Sequence, residues 1–475
     1  MVKRIWNIFM ILISLLFTIT TAIFIIMLKL IGVIPDNYFI IGVVIVGIIT
    51  LTINIFLLFR FKSKIFKVFK YICLVVTIIL ISVYSFGIYS LNKTLNLFDS
   101  AFSIKGEVTN YYIVVLEDSI YEEVSDLYGK SLAYYTNTDK SIIDSIKLNL
   151  SYVIEEDFNN LKNKLFNGEV DSILISDIII NRYEEDDSDF AESIRIIETI
   201  SITSEIEDIT KRVSIKNTPF NVLISGIDTY GDINTTSRND VNIIATVNPN
   251  TNEILLTSIP RDYYVQLHDT TGYKDKLTHA SYYGINTAVQ TIEDILNSDI
   301  NYYIKVNFTT VVDLVDEIGG IEVYSDQNVN LGACKVNEGM NYLDGKCTLA
   351  FSRERHSYID GDRHRGRNQQ EVITAIFKKL ASGTTIMSKY NNIIDSLNGK
   401  FITNIDLNEI TGFLKYEIND FSSYTIKSIQ LDGYGDMGRT YSYPNQDLWI
   451  MIPYEETITN AKNMINKVLN NESIK

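Results

Sequence analysis

The segment Phe220-Asn-Val-Leu-Ile-Ser-Gly-Ile-Asp228 decides how this chain folds. Phe220 to Gly226 is a short apolar run of strand length and composition. Val241 to Val247 and Glu253 to Ile259 repeat it, joined by the turn-forming cluster Asn248-Pro-Asn-Thr-Asn252. Further on, helical and strand patterns alternate. Thr287 to Leu296 predicts an amphipathic helix that Asn286 or Thr287 would cap. Tyr302 to Val306 predicts a strand, and Thr309 to Ile318 a helix stopped by Gly319-Gly320. A last strong helix is expected from about Asn368 to Leu380. Such alternation predicts an α/β fold of packed layers.

Chemistry-bearing residues sit at the ends of these strands. The first ends at Gly226-Ile-Asp228, Ser237-Arg-Asn-Asp240 precedes the second, and the third ends at Ile259-Pro-Arg261-Asp262. In open α/β sheets ligands bind at strand ends near chain crossings. Carboxylates there suit a hard cation such as Mg²⁺, which takes one or two carboxylates plus phosphate oxygens. Arginines suit the phosphate, through planar bidentate hydrogen bonds.

The densest segment runs from Phe351 to Gln370 and holds Arg353, Arg355, Arg363, Arg365 and Arg367 within fifteen positions. It precedes a helix start, whose free N–H groups also favour anions. A solvated basic loop is the plain alternative. The cluster opposes the net charge of its own domain, which favours a specific anion site. His268, His279, His356 and His364 show no zinc-ligand spacing, and no serine elbow is present; each histidine reads as a surface or supporting residue. A site without its own nucleophile fits phosphoryl-type transfer, where a substrate hydroxyl attacks and the protein supplies position and charge.

Ahead of this lie three apolar runs: Ile5 to Ile31, Tyr38 to Phe59 and Tyr71 to Leu91. Each is close to the roughly 20 residues that span a bilayer as a helix. Lys3 and Arg4 precede the first, and Arg60, Lys62, Lys64, Lys67 and Lys70 fill the second connection. The positive-inside rule then places the N-terminus in the cytoplasm and everything past about residue 92 outside. The chain carries −16 formally, but eight bases and one acid over Met1–Leu91 leave −23 for the rest. So acidic a globular part argues against nucleic-acid binding.

The expected organisation is membrane helices over 1–91, a linker over 92–110, a small accessory α/β domain over 111–205, a catalytic domain over 216–455, and a C-terminal helix and tail over 456–475. In the accessory part, Tyr111–Leu116, Ser131–Tyr135 and Ser172–Ile175 predict strands. An amphipathic stretch follows to Leu127. Ile142–Leu150 and Phe158–Phe166 show helical spacing. The acidic run Glu184–Asp189 reads as a solvated loop, without calcium-ligand spacing. Outside the cell Cys334 and Cys347 would be able to close a disulfide; inside they would be free thiols.

Taken in order, Asn221–Asp228, Ser237–Asp240, Ser258–Asp262, Gly319–Val323, Leu343–Lys346, Arg353-Glu-Arg355 and Gly361–Gln370 resemble the LytR-CpsA-Psr family of cell-wall glycan ligases. The three-helix anchor and accessory unit resemble its capsule-type branch. The resemblance implies an α-β-α sandwich with a long apolar pocket for a prenyl chain. It implies transfer of a glycosyl phosphate from a polyprenyl pyrophosphate-linked glycan to a peptidoglycan acceptor. The polymer would be teichoic acid, capsule or another wall glycan. Asp228 and Asp240 would hold Mg²⁺ (or Mn²⁺). Arg238, Arg261, Arg353, Arg355, Arg365 and Gln369 would bind the pyrophosphate, with Arg261, Arg353 and Arg355 also catalytic. Asp362 would orient arginines or act as base. Asn239 and Asn368 depart from the family's common Ser and Arg. Arg363 and Arg367 read as solvated. The helices Thr287–Leu296 and Thr309–Ile318 are candidate pocket walls, or simply core. A lipid pyrophosphate phosphatase and a non-enzymatic wall sensor would use the same residues.

Overall fold

The protein is described by a computed structural model that covers residues 2–32, 34, 36–102, 106–186, 189–229, 233–234, 236–381, 384–406, 409–410 and 424–474. Three helices open it: α1 (Val2–Ile31), α2 (Asp36–Leu58) and α3 (Lys64–Phe102). Each is long and apolar enough to cross a membrane. Most of their large apolar side chains are exposed, as lipid-facing groups are. The 92–110 linker is not found. α3 continues to Phe102 because Leu97 and Ala101 are buried against the globular body. Lys93 pairs with Asp395 there, and Ser100 Oγ donates to Asn398 Oδ1 at 2.8 Å.

The accessory unit comprises β1 (Glu107–Leu116), β2 (Ser131–Tyr135), α4 (Lys140–Ser145), β3 (Ser151–Glu155), α5 (Phe158–Phe166), β4 (Ser172–Ser176), α6 (Asp177–Asp186) and β5 (Ile194–Ser204). Its sheet runs β3-β2-β4-β1-β5. The expected helix over Ile142–Leu150 is only the short α4. Asp139 caps it, while Ile146, Leu148 and Leu150 pack irregularly against the core around Leu132. The stretch to Leu127 is a turn closed by one 3₁₀ turn, Val124–Leu127. Glu184 to Asp186 close α6 rather than form a loop; Asp187 and Ser188 lie outside the described residues. Tyr443 and Leu448 of the next unit enter the accessory core, and Val108 N donates to Asn234 O at 3.2 Å.

The large unit follows, with β6 (Phe220–Ile227), β7 (Asn239–Asn248), β8 (Glu253–Ser258), α7 (Ile285–Leu296), β9 (Tyr302–Val306), α8 (Phe308–Glu317), β10 (Ile321–Ser325), β11 (Gly339–Leu343), α9 (Gly345–Arg353), α10 (Asp362–Ala381), α11 (Thr384–Leu397), β12 (Phe401–Thr403), β13 (Thr425–Gln430), β14 (Gly433–Arg439), β15 (Asp447–Pro453) and α12 (Glu455–Leu469). The central sheet runs β12-β9-β6-β7-β8-β13. β9 and β13 add in parallel to β6 and β8, and the other pairs are antiparallel. On one face Leu223, Ile244 and Leu255 pack against Val289 and Ile292 of α7 and Ile465 of α12. On the other, Ile243, Ala245 and Leu256 meet Ile373 and Phe377 of α10. The result is an α-β-α sandwich.

Two helix starts differ from expectation. Gly284 caps α7, and Asn286 and Thr287 lie inside it, bonding Glu207 O and Tyr283 O. α10 begins at Asp362, six residues before Asn368, so three of the five arginines of the cluster lie in this helix rather than in a loop, and Arg353 ends α9. Cys334 and Cys347 are disulfide-bonded, with Cα atoms 5.7 Å apart.

Gly345 fixes where α9 sits. A Cβ there would lie 2.3 Å from Val312 O of α8, so only glycine allows the two helices this approach. Gly345→Ala is expected to lower unfolding free energy by about 1–3 kcal/mol through overpacking. Denaturant unfolding of the detergent-solubilised chain measures it; unchanged stability would show that the contact relaxes freely.

Candidate functional site

β6, β7 and β8 are neighbours, so their adjoining ends lie along one edge of the sheet. Asp228 leaves β6, Arg238 and Asp240 stand at the start of β7, and Arg261 follows β8. Opposite them, α9 ends on Arg353, with Arg355 just beyond. Arg365 and Gln369 project from one face of the first turns of α10, spaced i,i+4. Gln370 anchors that helix to the sheet, its Nε2 donating to Leu256 O at 3.1 Å and Ile429 O at 2.7 Å.

These elements enclose a cavity of about 600 Å³. Asp228, Arg238, Asp240, Arg261, Arg353, Arg355, Arg365 and Gln369 all line it, together with apolar Ile224, Val241, Val306, Val311, Leu349, Val372 and Ile373. Charge and hydrocarbon therefore share one space. The walls come from the sheet and α8, α9 and α10. α7 belongs to the opposite face and contributes nothing to it. Of the two candidate wall helices, only the Thr309–Ile318 one serves, through Val311 and the neighbouring Phe308.

Ion pairs organise the polar end. Arg261 Nη1 donates to both oxygens of Asp240 at 2.8 Å, with each side chain 14% exposed. Asp228 lies 3.4 Å from Arg238 Nη2 and 3.5 Å from Arg353 Nη2. Arg365 reaches Asp362 at 2.6 Å and Asp240 at 4.0 Å. Burial opposes ionisation of Asp240, but Arg261, Arg365 and Arg238 outweigh it and hold the carboxyl below its usual range. Burial pushes the Asp362 carboxyl up, Arg365 pulling against it and Asp262 adding to the rise.

Asp362 is not on the cavity wall; it touches the site through Arg365. Arg363 and Arg367 are not solvated bystanders. Arg363 pairs with Asp432, and Arg367 with Asp360. Asn239 accepts from Ser225 Oγ at 2.8 Å, and Asn368 Nδ2 donates to Phe351 O and Tyr358 Oη, both at 3.1 Å. The histidines divide. His279 is fully buried against Asp275 at 2.6 Å, and His356 lines the cavity beside Arg355. Unforeseen partners include Phe308, whose ring lies 4.2 Å below the Arg353 guanidinium. Asp262, named at the strand end but given no role there, is flanked by Arg261 Nε at 3.5 Å and Lys276 Nζ at 3.4 Å. Its place directly after Arg261 was the available signal.

Among the described residues no group of three or more His, Cys, Asp or Glu gathers as a metal nest. Two carboxylates lining one cavity, Asp228 and Asp240, still fit a hard cation that completes its shell with phosphate oxygens and water.

Fold and cavity define an anchored α/β protein built to bind an anion that carries an apolar tail. The chain belongs to the LytR_cpsA_psr family, whose model matches residues 194–454. It is 32% identical over 248 residues to the polyisoprenyl-teichoic acid–peptidoglycan teichoic acid transferase TagU of Enterococcus faecalis, covering 52% of this chain and 80% of that one. It is 34% identical over 227 residues to the corresponding transferase TagT of Bacillus subtilis, covering 45% and 68%. The crystal structure of B. subtilis TagV aligns with 54% of this chain and 98% of its own at 26% identity, with a TM-score of 0.45.

Removing Arg261 leaves Asp240 buried beside weaker partners. Arg261→Ala is expected to cost about 3–5 kcal/mol of stability. Arg353→Ala, at a side chain 51% exposed, should cost no more than about 1 kcal/mol. The stabilisation from Asp240's depressed carboxyl is complete above the unfolded value of about 3.9 and is lost as pH falls through the lower folded value. Denaturant titrations of both variants at neutral and acid pH measure this; equal losses would refute the burial argument.

Proposed function

We propose that this protein transfers a glycosyl phosphate from a polyprenyl pyrophosphate-linked glycan to a peptidoglycan hydroxyl outside the membrane. The polymer is a teichoic acid, a capsule or another wall glycan. One observation carries the reading: a single cavity joins five arginines, from the strand ends and from α9 and α10 and the turn between them, to an apolar interior. A pyrophosphate with a hydrocarbon tail matches both halves. The similarity to TagU and TagT, transferases whose names pair a polyisoprenyl-linked teichoic acid with peptidoglycan, supports the same chemistry.

Arg238, Arg261, Arg353, Arg355, Arg365 and Gln369 bind the pyrophosphate oxygens. Their donors face the negative charge that spreads over the phosphoryl oxygens as the bond to the leaving phosphate breaks. Asp228 and Asp240 would hold Mg²⁺ or Mn²⁺, which would neutralise part of the same charge. Asp362 takes the proton of the attacking hydroxyl as its oxygen bonds the glycan-bearing phosphorus. The bridging P–O bond then breaks, and the polyprenyl monophosphate leaves. Burial suits Asp362 to this role by raising its proton affinity. The N-terminus and the Arg60–Lys70 connection lie in the cytoplasm, and the globular part faces outward.

Asp362→Asn is expected to reduce transfer by about 10²–10⁴-fold while donor binding persists. In the wild type, transfer should rise with pH through the elevated Asp362 value and then level. The check is a pH–rate profile with lipid-linked glycan, peptidoglycan and Mg²⁺; wild-type turnover in the variant would remove Asp362 from the chemistry. Release of polyprenyl phosphate that is indifferent to acceptor would favour a phosphatase. Chelation should abolish transfer if Asp228 and Asp240 hold a cation.

A further inference from the structure

A second cleft, of about 430 Å³, lies beside the first and shares Arg355 with it. Asp262, Asp360, Asp362, Ile359 and Trp449 also line it. Arg355 thus stands between two spaces, one holding the arginines and apolar walls, the other lined by Asp262, Asp360, Asp362 and Arg363; Asp362 faces the second and reaches the first through Arg365. Trp449 sits on β15 of a hairpin that is latched to this edge. Arg363 bonds Asp432 and donates to Gly433 O at 2.5 Å, and Met451 N donates to Asp262 O at 2.8 Å. A Cβ at Gly435 would come within 3.0 Å of Trp449 Nε1. Bare backbone at that position lets the indole lie against β14, and Trp449 keeps 44% of its surface exposed. Tyr434 of β14 and Tyr454, which caps α12 just past β15, are also exposed, with ring centroids 5.8 Å apart.

We propose that this cleft is the acceptor subsite, taking a sugar unit of the peptidoglycan glycan strand with its apolar face on Trp449 and its hydroxyls toward Asp360 and Asp362. This rests on the transferase reading above. An immobilised aromatic plane beside carboxylates matches a pyranose, which has one C–H-rich face and a rim of hydroxyl donors. Its three carboxylates outnumber Arg355 and Arg363, whereas arginines dominate the first cavity, so a pyrophosphate favours the first space and a neutral sugar is tolerated in the second. The acceptor hydroxyl reaches the phosphorus from the Asp362 side, gives its proton to that carboxylate, and the bond to the carrier phosphate breaks on the far side. Arg363 is a positioning residue, holding the hairpin that carries the platform.

The chain has two tryptophans, Trp6 in α1 and Trp449, so Trp6→Phe in the full-length detergent-solubilised protein isolates the signal of the platform. Titration with a soluble uncrosslinked peptidoglycan glycan strand should change that emission saturably. Emission unmoved across concentrations that saturate transfer would overturn the proposal. In steady-state assays Trp449→Ala should raise the acceptor KM about tenfold, as loss of a buried aromatic anchor does. Affinity for the lipid-linked donor should be unchanged, and Trp449→Phe should recover most of the KM. Gly435→Val, which lifts the indole without removing it, should raise the same KM. An acceptor KM equal to wild type in Trp449→Ala, with transfer intact, would refute the subsite alone. Absence of transfer in the wild type itself would refute the transferase reading instead.

Discussion

The ion pair between Arg261 and Asp240, in which one guanidinium nitrogen reaches both carboxylate oxygens, is the constraint on which the site depends. It joins the end of β8 to the start of β7 where both side chains are largely withdrawn from water. Two charges in that position are costly unless each is fully matched, and removing either leaves the other exposed to the full penalty. The pair also sets the electrostatic tone around it. Asp240 stays ionised because of Arg261, and its charge in turn bears on Arg365, which reaches across from α10. The neighbouring Asp362 is subject to the opposite balance and holds its proton more tightly. Two carboxylates on adjoining elements are thus pushed apart in acidity, which is how a site obtains a permanent anion and a proton acceptor together.

Around that pair the architecture divides labour between the two faces of the sheet. The face carrying α7 and α12 is a closed core and contributes stability. The face carrying α8, α9 and α10 stops short of closure and leaves the cavity. Gly345 governs how tightly α9 settles on α8, and so where Arg353 ends up relative to Asp228.

The strand-end residues were legible because period and motif agree: apolar runs broken by Asp228, Asp240 and Arg261 leave little freedom about which edge they occupy. The sandwich followed from the same alternation. The start of α10 was not legible. Its first turns, Asp362-Arg-His-Arg-Gly-Arg, have no apolar spacing, and the helix there is held by ion pairs and by Gln370 rather than by a hydrophobic face. The linker failed for a related reason. Asn92 to Phe102 is weakly patterned on its own, and only its contact with α11 makes it helix. Arg367 looked idle because its pair with the nearby Asp360 depends on the unforeseen helix start at Asp362, and Arg363 because its partner, Asp432, is brought up by tertiary packing. The second cleft was invisible for the same reason: Trp449 lies far along the chain from Asp362.

The continuity of α3 has a mechanical consequence. At 39 residues it extends for roughly 58 Å, well beyond the hydrocarbon of a bilayer. Its upper end is clamped to α11 by Lys93 and Ser100. The globular body is therefore mounted on a rigid post rather than hung from a tether. It shares the post's lateral diffusion and its tilt, and it cannot tumble independently. A substrate anchored in the same bilayer meets the cavity at a set height and within a narrow range of angles, so their encounter is a search in two dimensions instead of three.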